Sequence, residues 1–527
     1  MKLRPWALSL STLLLSTAGP ALAQDPDPTY GGTAIVVVGD ELTSLNPAIT
    51  SGSGEGVVGC MVLEGLVEID GEGNPVPALA KSWTISDDGL SYTFELRETS
   101  WHDGEPFTAD DVVYAFTNVN SKYAPLFSAQ LGKRIESVVA DGPHAVTVNL
   151  SEPFGPFMRI LTCWNGGAIT PKHVFEGTDP NTNPASSEMI GTGPFKFETW
   201  NTGDSIRLVK NEAYWKEGRP YLDGVVARFM PNAASRVQAM LAGEADFIQK
   251  YYFPVSDLPA VEASPALKTM PASQAPNNLL GFFNVTKPPF DNKELRQALF
   301  SLVDRDFIFK AGFGGQGMKA TGPIPKQVSW ASNPDLSYDE MYPADVDAVN
   351  AKLDELGFAR GSDGTRFETS IIFEAAVPER LKAATAIQAA WQEVGVKVNV
   401  EPLERALLLP RAYTDGDFGV LIISYGTYGD PALGIARVYI TSSIGKNYGN
   451  ASGYSNPQVD ELFAQGATLA ETSARSAAYR EAEKIIAEEL PVMTLHENKG
   501  IDAAVANLYG IWGYEGAGRF GEAYFAE

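Results

Sequence analysis

Apolar positions along this chain of 527 residues fall into two patterns: short β-branched or aromatic runs, and amphipathic stretches at helical spacing. Residues 33–38, Thr-Ala-Ile-Val-Val-Val, predict a buried strand. Ser51-Gly52-Ser53-Gly54-Glu55-Gly56 follows as a loop leading into an apolar helix over 57–66; its glycines either let a ligand approach backbone amides or simply connect two elements. From 67 to 96 short strands alternate with turns such as Asp87-Asp88-Gly89. The sequence Asp70-Gly71-Glu72-Gly73-Asn74 has the start of a calcium loop without the rest of it, and reads as a hairpin turn. Thr108 and Asp111 form a capping box for a helix carrying Val112, Val113, Phe116 and Val119.

Strands are expected at 225–230 and 245–248 with a helix at 233–241 between them. Gln249-Lys250-Tyr251-Tyr252-Phe253-Pro254 then emerges from a strand end, the place where open α/β sheets bind ligands. The run at 279–285 is too short for a helix and predicts a strand buried on both faces; Asp291 is the expected cap of the next helix, whose stripe is Leu295, Ala298, Leu299, Leu302 and Val303. Later come a strand at 369–373, a helix at 380–394 stopped by Gly395, a strand at 396–400, a helical stretch through Arg411 and a strand at 418–423. That last strand runs into Ser424-Tyr425-Gly426-Thr427-Tyr428-Gly429-Asp430-Pro431, a second loop suited to binding. A helix at 474–489 and a strand at 491–495 close the pattern, and the βαβαβ order implies mainly parallel sheets with crossover helices.

Length implies two or three domains. Lys and Arg number 40 against 65 Asp and Glu, a formal net charge of −25 that disfavours nucleic acid as a partner. Lys2 and Arg4, the apolar stretch 6–15 and Ala21-Leu22-Ala23 before Gln24 form a signal peptide over 1–23, so an exported protein is expected. Cys60 and Cys163 are the two cysteines; export permits a disulfide between them, and two buried thiols fit equally well. No cofactor or metal site is predicted. The four histidines are His102, His144, His173 and His496; no two have ligand spacing, and neither a G-x-S-x-G elbow nor a zinc-protease motif is present, which speaks against an exported hydrolase.

Asn-Pro-Val-Pro-Ala-Leu-Ala-Lys-Ser-Trp (74–83), Asp-Gly-Leu-Ser-Tyr-Thr-Phe-Glu-Leu-Arg (88–97) and Trp-His-Asp-Gly-Glu-Pro-Phe-Thr-Ala-Asp-Asp-Val-Val-Tyr-Ala-Phe (101–116) closely resemble the family 5 extracellular solute-binding proteins, the dipeptide and oligopeptide receptors of ABC importers. The likeness continues at 190–197, 211–215, 243–248, 287–306 and 453–457. It implies an α/β, bilobed type II periplasmic binding protein with an extra N-terminal subdomain: lobe one at 24–68, 190–272 and 492–527, the inserted subdomain at 69–189 and lobe two at 273–491. A small ligand (peptide, oligosaccharide or opine) would lie between the lobes, and the closed monomer would dock on an ABC permease in the inner membrane.

The family's ligand-contacting segments map onto Ser51 and Ser53, Trp164 and Asn165, Gln249, Tyr251 and Tyr252, and Tyr425, Gly426, Thr427, Tyr428 and Asp430. Peptide-binding members hold the ligand's ammonium with an Asp where this chain has Thr427; Asp430 is the nearest carboxylate for that task. Arg405 has the chemistry to hold a carboxylate or phosphate, or to be a solvated surface charge.

Overall fold

The computed structural model describes residues 25–39, 41–50, 52–70, 73–271, 276–375, 377–469, 471–498, 500–511 and 520–527; the expected signal peptide lies outside them. Strands β1 (Thr33–Val38), β2 (Phe247–Ile248) and β3 (Leu267–Pro271) belong to a seven-stranded sheet, β4 (Asn277–Phe283), β5 (Val420–Gly426) and β6 (Val492–Asn498) to a six-stranded sheet, and β7 (Ile501–Val505) returns to the first. The first sheet runs β3-β7-β2-β1 and continues through Gly224–Phe229, Ser205–Lys210 and Phe195–Asn201. The second runs Met318–Lys319, β6, β4, β5, Phe367–Glu374, Val396–Leu403. A separate four-stranded antiparallel sheet is built from residues between Ala80 and Leu150.

The two large sheets are mixed, not mainly parallel. Parallel pairs join β1 to β2 and to Gly224–Phe229, and Phe367–Glu374 to β5 and to Val396–Leu403. Helix Pro378–Glu393 is the crossover between Phe367–Glu374 and Val396–Leu403, as a parallel neighbour requires. The remaining pairs are antiparallel: the hairpin of Phe195–Asn201 with Ser205–Lys210, the pair of Ser205–Lys210 with Gly224–Phe229, and those made by the strands that flank the crossings between the sheets.

Strand β4 sits between β6 and β5. Alternate side chains bury in opposite directions, Leu279 and Phe283 into one core and Leu280 and Phe282 into another, so its continuous apolar run is a two-faced core strand. The cap of the following helix, Lys293–Ser301, is Asn292 and not Asp291: the Asn292 side chain accepts the Leu295 N–H at 3.1 Å. The early helix covers Ser53–Gly59, not 57–66, because the serine-glycine loop itself supplies its first turn.

The chain crosses between the sheets twice, after β3 and after β6. Pro271 pairs with Ile501 and Asn277 with Asn498, so the two crossings start and end side by side. The return therefore falls at 498–501 and not near 492, since residues 492–498 pair with β4 in the second sheet.

Candidate functional site

On the first sheet, helix α1 (Ser53–Gly59) is read through its glycines. A Cβ at Gly56 would lie 2.3 Å from the Trp164 ring, and one at Gly54 would lie 3.0 Å from the Tyr252 hydroxyl oxygen. The glycines thus admit two aromatic rings against the helix backbone, which occupy the room the sequence offered to a ligand. A disulfide between Cys60 and Cys163, with Cα atoms 5.8 Å apart, ties the end of this helix to the loop bearing Trp164.

In that loop Asn165 is buried and bonds locally: its Nδ2 donates to the Arg159 carbonyl at 2.9 Å, and its backbone N–H donates to Thr162 Oγ1 at 3.3 Å. Trp164 stacks on Tyr251 with ring centroids 6.2 Å apart and planes 13° apart. Tyr251 is 43% exposed and has the Lys250 Nζ 5.0 Å from its ring centroid, a cation over an aromatic face. The Lys250 N–H donates to the buried Asp502, whose carboxyl is pushed up to about 7 by burial. Gln249, at the end of β2, is fully buried, and both ends of its side-chain amide lack a hydrogen-bond partner. A buried amide in that state is normally matched by a water or a ligand group.

On the second sheet the loop after β5 satisfies its own polar groups. Both Asp430 oxygens accept from Arg475 Nη2 at 2.8 Å, with both residues buried, and Asp430 Oδ1 also caps the following turn by accepting the Ala432 N–H. Thr427 donates its hydroxyl and its N–H to the Pro276 carbonyl, at 2.8 and 3.1 Å. The Tyr425 hydroxyl lies 2.6 Å from that of Tyr413 and donates to the Gly449 carbonyl at 3.0 Å. Tyr428 adopts φ 52°, a left-handed conformation uncommon for a residue with a side chain.

Arg437, in the turn Ala436–Tyr439, holds this loop from one side. Its Nε donates to the Gly434 carbonyl at 3.2 Å and its Nη2 to the Gly426 carbonyl at 3.3 Å. Its guanidinium carbon stands 4.8 Å from the Tyr425 ring centroid and 5.7 Å from that of Tyr428.

Leu433 belongs to, and Tyr428 packs against, the large apolar cluster against which Trp164 and Tyr252 also pack. Ser53 opens α1 beside them. Ser51 lies outside the described residues, as does the side chain of Arg405, a residue that begins the short helix Arg405–Leu409. Sequence reasoning missed Arg437 and Arg475. A cation seven residues beyond Asp430 was the available signal for the first; the second is 45 residues from its carboxylate, and nothing local marks the pair. His496 is fully buried in β6, stacked on Phe313 at 3.7 Å with Nε2 against the Gln316 carbonyl, and burial lowers its pKa to about 4.

Two mixed sheets joined by paired crossings, each presenting an aromatic loop to the other, have the form of a solute-binding protein. The profile of the bacterial extracellular solute-binding proteins, family 5, matches residues 74–446, and the chain belongs to that family. It is 31% identical to heme-binding protein A of Haemophilus influenzae over 447 residues, 80% of this chain and 79% of the relative. It is 27% identical to a glutathione-binding protein of Escherichia coli over 513 residues, 96% of this chain and 95% of the relative. The oligopeptide-binding protein AppA of Bacillus subtilis, solved with a nonapeptide, shares the fold at a TM-score of 0.77 and 24% identity, across 95% of this chain and 100% of its own. Among the described residues no helix is long and apolar enough to cross a membrane.

Proposed function

We propose that this solute-binding protein, the substrate-binding component of an ABC importer, closes its lobes over a small polar solute and presents it to an inner-membrane permease. In this reading lobe one comprises residues 25–68, 190–271 and 501–527, the inserted subdomain 69–189, and lobe two 276–498. Cleavage after Ala23 would release a periplasmic monomer. The observation that carries the reading is the pairing at the ends of the two crossings, Pro271 with Ile501 and Asn277 with Asn498, which join two sheets whose strand-end loops both carry aromatic residues packed against one apolar cluster. Such a narrow two-strand link is what a hinge needs, and a ligand touching both loops favours closure through its differential affinity for the closed state. No catalytic step is assigned to the site.

A peptide is disfavoured as the ligand by Asp430, whose two oxygens are already held by Arg475. With Thr427 in the position where peptide-binding relatives carry Asp, the loop offers no free carboxylate to a ligand ammonium, and an oligosaccharide or another solute without an ammonium fits better. The relatives bind heme and glutathione by their names, so the frame accommodates ligands of unlike chemistry.

The test is a thermal-shift screen of refolded, ligand-stripped protein lacking residues 1–23 against peptides, oligosaccharides, opines and nickel chelates, followed by small-angle scattering. Binding to the native state raises Tm by mass action. A stabilising solute that also compacts the particle is the expected outcome; stabilisation with no compaction by any solute would rule out closure.

A further inference from the structure

We propose that Arg437 is a specificity-determining residue that receives a carboxylate of the solute, so that the natural ligand is an organic acid without a free ammonium at that end. This inference rests on the receptor reading above and names the chemistry of its lobe-two subsite.

Three observations point the same way. First, the loop's one carboxylate, Asp430, is neutralised by Arg475 and buried. Second, Arg437 forms no ion pair among the described residues; its Nε and Nη2 are fixed on the Gly434 and Gly426 carbonyls, which leaves Nη1 without a protein acceptor. The two bonds orient the planar guanidinium, and an oriented guanidinium loses little freedom on meeting a carboxylate. Third, the Tyr425 and Tyr428 rings flank the cation without competing as hydrogen-bonded anions, and Tyr428 packs against the large apolar cluster that includes the first sheet, which puts the cation near the boundary between the lobes. The opposite loop repeats the arrangement with Lys250 over Tyr251. A protein of net charge −25 therefore places cations over aromatic rings on both loops.

Carboxylates are recognised by such a fork through charge-assisted hydrogen bonds. An ammonium brought to the same place would meet a guanidinium with no compensating acid.

The experiment compares N-acetylalanine and N-acetylglutamate with the neutral N-acetylalaninamide and the ammonium-bearing alaninamide by calorimetry and thermal shift, on wild type and on the R437Q and R437K variants. We expect the acids to bind wild type at least about tenfold more tightly than the neutral or ammonium-bearing probes, R437Q to lose that preference, and R437K to keep part of it. The ligand-free Tm of each variant shows whether the loop survives, and the acid-against-amide ratio in wild type needs no variant. Binding of alaninamide or N-acetylalaninamide in preference to the acids, or an R437Q variant that keeps the acid preference, would overturn the proposal. Scattering separates the two readings. A neutral probe that compacts the protein leaves the receptor intact and removes the carboxylate subsite; an acid that binds through Arg437 without compaction keeps the subsite and removes closure.

Discussion

The two strand-end loops, one on each large sheet, use similar residues to opposite ends. On lobe one, polar and aromatic groups are held up by covalent and apolar supports, the Cys60–Cys163 bridge and the glycine face of α1, and so remain available: Tyr251 is half-exposed and the Gln249 amide has no partner. On lobe two, Thr427, Tyr425 and Asp430 are turned inward to hold the loop's own backbone and neighbours, while Arg437 forms no ion pair among the described residues. Residue type at a strand end therefore does not reveal whether a polar group serves the ligand or the loop. That depends on whether something else holds the loop.

The strongest way to break this comparison is Asp430→Asn. If the carboxylate is structural, the substitution leaves Arg475 buried without its counterion and costs about 3–5 kcal/mol, seen as a lower urea midpoint whether or not ligand is present. Lost binding at unchanged stability would make Asp430 a ligand group instead. On lobe one, replacing both cysteines by serine removes a link spanning 103 residues and is expected to cost about 2–5 kcal/mol, with the loop bearing Trp164 showing the fastest gain in hydrogen exchange. Gln249→Leu should behave in the opposite sense to Asp430→Asn. Removing an unpartnered buried amide leaves the ligand-free Tm unchanged or raised, while affinity falls about tenfold if the amide meets the solute. A lower ligand-free Tm with full affinity would mean a structural role after all.

The smallest effect is on pH. In lobe two, burial raises Glu483 from 4.5 to about 8 and Glu497 from 4.5 to about 7; in lobe one it raises Glu64 to about 7. A carboxyl raised in the folded state binds more protons than the unfolded chain between those values, so its stabilising contribution is complete below 4.5 and is lost as pH climbs through the folded value. His102 and His496, lowered from 6.5 to about 4, act in the reverse direction, but their contribution is constant above 6.5. Between 6.5 and 8 the Tm should fall with rising pH, and Glu483→Gln should flatten that slope; a slope unchanged by the substitution would locate the effect elsewhere.

Much of the frame was legible because buried strands and amphipathic helices leave periodic marks. The two-faced burial of 277–283 and the helices at 233–241 and 472–489 follow from where apolar residues fall. The mixed pairing was not legible, since periodicity reports burial and not the direction of a neighbour. The glycines of 52–56 were read for backbone access, yet what fills the access is Trp164, more than 100 positions away. For Asp430 too, the group that bears on its role, Arg475, is distant in the chain and brought to it by packing.

Strand β7 lies inside the first sheet, between β3 and β2, and β6 lies inside the second, between Met318–Lys319 and β4. Two interior strands are thus synthesised late, long after the sheets they belong to were begun upstream. Neither lobe finishes its sheet until residues 492–505 have arrived, which delays compaction in a chain whose contacts already span much of its length. Late completion suits a polypeptide that has to thread a translocation channel before it folds. It also means that a truncation just before residue 492 deprives both lobes of a central strand at once, so the two fail together and not one after the other.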